Sequence, residues 1–382
     1  MLIEGALSGI KVLDLSRMLP GPYCSMILAD HDADVIAIEK KEYKNKGLFF
    51  EALNRNKRHM TLDLKSTKGV QIFFDLAEKA DVIIEGFRPG VVQRLGIDYD
   101  TVRAKNPSII YCSISGYGQT GERRSFPGHD VNYLSTAGLL GLIGEKKRPS
   151  VIPGIQIADI AGGSMNAVVG ILLALHARER IGKGQYIDIS MTDGVLGMLT
   201  LANHFAEIEG QPQEASNSLL SHRFACYNTY ETQDGRYVSL GAVENRFWKK
   251  LCEHIGRPDF APLQYDKVKK NEMISYFRDL FMTKKYAEWV RELDPLGVCF
   301  SGIKDVSEVF TDPSFKEREM IVDYVDYHGQ RKKSFGVPVK LSETPGSIRA
   351  QPAIFGGDTE SILLEMGYSK IEIGDLLSTG VV

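Results

Sequence analysis

The chain is short of the patterns that would mark it as secreted or metal-bound. Its five cysteines, Cys24, Cys112, Cys226, Cys252 and Cys299, include no CxxC pair, so neither a disulfide framework nor a zinc site is expected. Such usage suits a reducing compartment, and a cytoplasmic location is the expectation. Charge of one sign is also lacking. With 46 basic and 49 acidic side chains the formal net charge is -3, which argues against a nucleic-acid-binding field while leaving room for a local anion pocket. Long hydrophobic runs are scarce. The longest uncharged stretch, residues 161–177, contains Gly162, Gly163, Ser164, Asn166 and His176 and falls short of the roughly 20 apolar residues of a membrane span. A mostly buried core helix over Asp159 to Ile181 is expected instead, with no membrane partner. The opening MLIEGALSGIKVLDLSR has an acid at position 4 and no basic start before an apolar run, so no secretory leader is expected.

Several enzyme signatures are missing as well. LSRMLPGPYCSMILAD follows the first strand-like run with two prolines and no GxGxxG, which removes the motif for a nicotinamide cofactor. No GxxxxGK[ST], GxSxG or HExxH occurs, so phosphate-loop, serine-hydrolase and zinc-helix readings have no motif behind them. Internal repeats and low-complexity segments are absent too.

What is present is ordinary globular material: 382 residues, 43% hydrophobic and 25% charged, enough for two domains. IKVLDL, DVIAIE, TLDL (61–64), DVIIEGF, SIIYCSIS and QYIDIS alternate with helical patterns such as PGPYCSMILADHD and GVQIFFDLAEKA. That alternation predicts βαβ units and a parallel sheet, whose ligands bind beyond the strands' carboxyl ends. TDGVLGMLTLANHFAEIEG reads as one helix, and the polar passage QPQEASNSLLSHR after it as a domain change. CYNTYETQDGRYVSLGA, with Asp234-Gly235 between two β-like runs, predicts a hairpin. Amphipathic helices over ENRFWKKLCEHI, NEMISYFRDLFM and KKYAEWVRELD, then a β-like IVDYVDY and a last helix DTESILLEMG, make the second part α+β.

Three residues are candidates for chemistry. His129 follows a Pro-Gly break in SGYGQTGERRSFPGHD, a loop-like passage where functional groups concentrate. It suits a general base, although a lone histidine is more often a surface or core residue. Asp159 stands at a predicted helix start, where free N–H groups stabilise a carboxylate, and Gly162-Gly163 would let a ligand approach the backbone. Simple helix capping explains it equally. Glu244, after the strand-like YVSLGA, could orient a histidine or serve as the first-turn acid of the next helix.

Taken together, VLDLSRMLPGPYCSMILAD, NRNKRHMTLDLK, DVIIEGFRPGVVQRLG, SGYGQTG, GHDVNYLSTAGLL, ADIAGGSM, GKGQYIDISM and GAVENRFW resemble the class III CoA-transferase family, and within it the α-methylacyl-CoA racemases. The resemblance implies a Rossmann-like large domain over residues 1–210, a small α+β domain over 225–325, and a return segment over 326–382 packing on the large domain. It further implies an interlocked homodimer acting on acyl-CoA, with no metal and no cofactor, coenzyme A entering as part of the substrate. In the racemases the residues matching His129 and Asp159 flank the thioester's α-carbon, and Glu244 matches a supporting glutamate. Pro20, Gly21, Lys40, Lys65, Gly86, Phe87, Arg88 and Arg94 match or adjoin the family's CoA contacts. The implied activity is α-carbon racemisation of a 2-methyl-branched acyl-CoA in fatty acid metabolism, one group removing the α-proton and the other reprotonating the opposite face of an enolate.

The alternative is CoA transfer between carboxylic acids, with Asp159 as the nucleophile that forms an anhydride and then a CoA-aspartyl thioester. Two positions depart from the patterns. Ile155 stands where racemases often carry asparagine, and LLSHRFACYN holds no glycine run of the kind transferases place over the nucleophile. Lys40 replaces a frequent arginine, which removes a bidentate phosphate contact.

Overall fold

The computed structural model describes residues 5–44, 46, 50–326 and 329–382. The chain opens with β1 (Lys11–Asp14), α1 (Pro20–Asp30), β2 (Asp34–Glu39), β3 (Arg58–Thr61), α2 (Thr67–Ala77), β4 (Val82–Glu85) and β5 (Ile110–Ser115). Helix α3 (Asp130–Thr136), a wide-turned π-helix (Ala158–Met165) and α4 (Asn166–Ile181) then lead to β6 (Tyr186–Ser190). The six strands form one parallel sheet in the order β3-β2-β1-β4-β5-β6. This is the doubly wound arrangement in which the winding direction reverses between β1 and β4. The expected parallel α/β sheet is therefore present. Its strands read as near-continuous apolar runs because helices cover both faces. Val12, Val82, Ile83, Ile84 and Ile110 are all fully buried.

Strand β3 forms three residues earlier than the TLDL expectation, over RHMT, pairing Ile36 with Arg58 and Glu39 with Thr61. The polar character of Arg58 and His59 hid the strand, since both side chains serve as ties. Arg58 bonds Asp34 and Glu365 at 2.9 and 2.7 Å, while His59 Nδ1 accepts the Gly356 N–H at 2.8 Å.

Apolar continuity was equally misleading in the other direction. Of α4 only Ala167, Ile171 and Ala174 are buried, whereas Leu173 is 64% exposed and Leu172 and Val169 are exposed too. The expected mostly buried core helix is thus corrected to one with a broad apolar face left open on this chain. Together with the π-helix it is also the stretch, among the described residues, long and apolar enough to cross a membrane: 24 residues, with mean hydropathy 1.6 over its most apolar 18.

Helix α5 (Met191–Met198) ends at Leu199, and α6 (Thr200–Glu209) follows, so the single helix expected there is two. The break marks a boundary: Met1–Ala137, Pro153–Met198 and Pro313–Val382 form one compact unit, and Gly138–Ile152 with Leu199–Asp312 form another. Residues 138–152 and 199–210, assigned by sequence to the large domain, thus belong to the second unit, and 313–325 to the first.

In the second unit β7 (Tyr227–Glu231) and β8 (Tyr237–Gly241) make the expected antiparallel hairpin, with Gly235 at φ +74° in its turn. A positive φ is what a glycine tolerates and other residues do not. Helices α7 (Asn245–His254), α8 (Lys270–Phe281) and α9 (Tyr286–Leu293) precede β9 (Phe300–Gly302), which pairs with β8. Trp248, Phe277, Phe281 and Trp289 fill this unit's own core. Both indole N–H groups are satisfied there, by Phe260 O at 3.0 Å and Phe281 O at 2.9 Å.

The returning chain forms an antiparallel ribbon of β10 (Ile321–Val325) and β11 (Arg331–Phe335), then α10 (Thr359–Glu365) and α11 (Lys370–Ser378). Tyr327, the last residue of the expected IVDYVDY strand, lies outside the described residues. Ile362, Leu363 and Val382 enter the same core as Leu13 and Ile83. The NRNKRH segment holds this return in place. Buried Arg55 pairs with Asp30 at 2.6 Å, and Asn56 bonds Asp30 and Ser347 O, both at 2.8 Å, while accepting the N–H groups of Arg349 and Ala350 at 2.7 and 2.9 Å.

Candidate active site

The site is assembled from loops that leave the carboxyl ends of the parallel strands. At the end of β1 the buried Asp14 carboxylate accepts the Ser16 N–H at 2.9 Å and the hydroxyls of Ser16 and Ser25. These bonds curl the chain into Pro20-Gly21, which open α1. A Cβ on Gly21 would lie 1.9 Å from Ser16 Oγ, so this glycine is required by packing inside the protein.

At the end of β4 the Glu85 carboxylate accepts the Phe87 N–H at 2.7 Å and shapes Gly86, Phe87 and Arg88. Burial pushes Glu85 up to about 7. Gly86 sits beside the β1 loop, its Cβ position 3.4 Å from Ser16 Cβ. Pro20, Gly21, Gly86, Phe87 and Arg88 therefore meet at the switch between β1 and β4, where a doubly wound sheet opens its ligand crevice. Lys40 follows β2 and Lys65 follows β3 at the same edge. Lys40 is already engaged, 3.2 Å from Glu42 and 3.6 Å from Asp63, whereas the Lys65 side chain is exposed. Arg94 lies on the short helix Val91–Leu95 that follows the β4 loop, and it is exposed, as is Arg88.

His129 and Asp159 come together from different elements. His129 caps α3, its backbone N–H donating to Asn132 Oδ1 at 3.0 Å, and its side chain is exposed. Asp159 lies in the first turn of the π-helix. Its backbone N–H donates to Asp130 Oδ1 at 3.0 Å, which brings the two segments into contact. Burial pushes the Asp159 carboxyl up to about 6. The charge of Asp130 adds to that rise, and His129 opposes it. A carboxyl poised near neutrality and sensing an imidazole can both take and give a proton.

Tyr133 and Ser164 complete this geometry and were not singled out from sequence. The Tyr133 hydroxyl donates to Gly128 O at 2.6 Å, and its ring is wedged where Cβ atoms on Gly116 and Gly128 would stand 2.4 and 2.6 Å away. Burial pushes that hydroxyl up to about 12, the Asp159 charge adding to the rise and Arg88 lowering it. Arg88 is thus electrostatically in view of the His129 loop. The Ser164 hydroxyl reaches Pro20 O at 2.7 Å and Asp159 O at 3.0 Å. Only the π-helix itself, a form often found at functional sites, could have drawn notice to this segment, and periodicity does not reveal it.

Gly162 and Gly163 have a different task from the expected ligand approach. Cβ atoms there would lie 2.6 Å from Met191 O and 2.9 Å from Met191 Cγ. They let the π-helix press against α5. Glu244 belongs to the second unit, where it precedes α7 and is exposed. Its carboxylate makes no capping bond, so the helix-capping role does not occupy it. Among the described residues no group of three or more His, Cys, Asp or Glu side chains is arranged to hold a metal.

The chain has relatives among known proteins over nearly its whole length. The chain is similar to human alpha-methylacyl-CoA racemase, 33% identical over 380 residues covering 99% of this chain and 97% of that one. It is also similar to the succinyl-CoA:mesaconate CoA-transferase of Haloarcula hispanica, 31% identical over 396 residues covering 95% and 97%. Among solved structures, a CAIB/BAIF family protein from Brucella suis superposes with a TM-score of 0.83 at 28% identity, covering 95% of this chain and 100% of that one. The sequence profile of CoA-transferase family III matches residues 7–359, and the chain belongs to that family.

Proposed function

We propose that this protein inverts the α-carbon of a 2-methyl-branched acyl-CoA thioester. His129 and Asp159 face opposite sides of that carbon. One removes the α-proton, the electron pair passes into the thioester carbonyl as an enolate, and the other returns a proton to the opposite face. The observation that carries this reading is the Asp159 carboxyl, raised to about 6 beside His129, since a two-base racemase needs one shared proton between its groups. Arg88, Arg94, Lys40 and Lys65 meet the phosphates of CoA in this scheme, with Pro20, Gly21, Gly86 and Phe87 against its nucleotide and pantetheine. No metal or separate cofactor is required. The enzyme works as a homodimer, a reading supported by the exposed Val169, Leu172 and Leu173 face of α4, which is larger than isolated surface apolar residues explain.

The second reading is a CoA-transferase, favoured by Ile155 at the racemase asparagine position and by the likeness to a mesaconate transferase. Asp159 then attacks the donor thioester, releasing CoA thiolate, which returns to the mixed anhydride as the donor acid leaves; the acceptor carboxylate next displaces CoA from its aspartyl thioester by the same two steps. Incubation with a 2-methylacyl-CoA in deuterated water separates the two. Racemisation places deuterium at Cα in the absence of any acceptor acid. No incorporation, with CoA passing to an added carboxylic acid and hydroxylamine trapping Asp159, establishes the transferase instead.

A further inference from the structure

A buried ion pair lies behind the site. Lys57 Nζ is 3.6 Å from Asp14 Oδ2 and donates to Pro22 O at 2.9 Å, and both side chains are essentially inaccessible, at 0% and 1% exposure. Burying two charges is costly unless each is fully engaged. Asp14 is engaged by Ser16, Ser25 and Lys57, and Lys57 by Asp14 and the first turn of α1. From that turn a continuous path runs to the backbone of Asp159, the reacting residue. Pro20 O receives the Ser164 hydroxyl, which is itself fully buried and also reaches Asp159 O five residues earlier on the π-helix. Pro20 Cβ stands 3.3 Å from the Cβ position of Gly163, so the two elements have no slack between them.

We propose that Lys57 and Asp14 are positioning residues that fix Asp159 through the Pro20–Ser164 contact. Their assignment rests on the reading of Asp159 as the reacting group. Breaking the pair leaves one charge buried without its partner, and the Ser16–Pro22 turn must shift to admit compensation. A shift transmitted to Asp159 misaligns it from the α-carbon and moves it relative to Asp130; loss of the ion pair also moves Pro20-Gly21 and the CoA contact proposed there, whereas loss of the Ser164 hydroxyl alone leaves that turn on its Asp14 and Lys57 anchors. Reacting groups displaced by a fraction of an ångström lose rate before they lose affinity.

The test compares wild type, Lys57→Met and Ser164→Ala, the latter removing one hydroxyl while leaving the ion pair intact. Two readouts are taken on protein with an unchanged circular dichroism spectrum: α-proton exchange kinetics, and the titration of Asp159 followed by carbonyl-carbon NMR in the absence of substrate. The expected result is a kcat lowered about tenfold or more in each variant, with KM within about threefold in Ser164→Ala, no further loss of kcat in the double variant, and a displaced Asp159 titration. Wild-type kcat and an unmoved Asp159 titration in folded Ser164→Ala overturn the proposal, and they do so whether or not Lys57→Met folds. If wild type itself shows no exchange, the racemase reading fails, while the Asp159 titration still decides the positioning role.

Discussion

The backbone N–H of Asp159 donates to Oδ1 of Asp130 at 3.0 Å, so the residue beside the candidate base His129 also anchors the candidate acid. This single bond ties α3 to the π-helix and sets two carboxylates near one another, which holds Asp159 up at about 6 in concert with burial. Asp130→Asn keeps an acceptor for the N–H but removes the like charge. Its expected effect is to lower the Asp159 titration, because a like charge nearby no longer disfavours the carboxylate. In wild type, kcat/KM falls as pH drops through about 6, because protonating Asp159 removes the carboxylate that acts as a base; in Asp130→Asn the acid limb moves to lower pH. A pH–rate profile on both proteins checks this, and coincident limbs count against Asp159 as the titrating group.

The same raised carboxyl is a cost to the fold. A group whose folded value lies above its unfolded value of 3.8 favours folding fully below 3.8, and that contribution is lost as pH rises through about 6. Asp159→Asn removes the penalty. Above pH 7 it is expected to raise stability by on the order of 1 kcal/mol, after discounting for partial solvent access, and Tm by a few degrees. Exchange activity is abolished in the same variant. Calorimetry at pH 8 and pH 4 is the check, since the gain must shrink at the lower pH.

How much of this was legible beforehand follows from the physics of each element. β2 and β4 were readable because strands buried on both faces are runs of Val and Ile. β3 was not, since Arg58 and His59 spend their polarity on Asp34, Glu365 and Gly356, partners 24 to 307 residues away. His129 and Asp159 each looked ordinary alone and gained weight only from the order of surrounding motifs. Gly162 and Gly163 were visible as permissive residues, but whether such a residue admits a ligand or a neighbouring helix is settled by tertiary packing, here Met191. The buried network of Asp14, Ser25 and Lys57 sat inside recognised motifs, yet no spacing rule joins residues from the ends of two strands.

Tyr133 supports the His129 loop by its bond to Gly128 O at 2.6 Å. Tyr133→Phe keeps the ring wedged between Gly116 and Gly128 and deletes only that bond. Leaving the carbonyl without its partner costs on the order of 1 kcal/mol, and kcat is expected to fall about tenfold as His129 loses its fixed approach. Chemical denaturation together with exchange kinetics measures both parts. A variant with reduced stability but full kcat would reduce Tyr133 to a scaffold residue.

The open face of α4 bears on assembly. Val169, Leu172 and Leu173 are 53%, 42% and 64% exposed, on a helix whose apolar length would otherwise suit a lipid environment. A second copy of the chain covering this face removes those side chains from water at roughly 25 cal/mol per Å² of apolar surface, a gain repeated in both copies of a symmetric pair. Sedimentation velocity is expected to give a dimer for wild type, and Leu172→Glu/Leu173→Glu is expected to yield monomer or aggregate with exchange activity lost. A wild-type monomer that exchanges at full rate removes the dimer from the scheme. Association of wild type with neutral lipid vesicles, suppressed by the double substitution, would instead assign the face to a membrane.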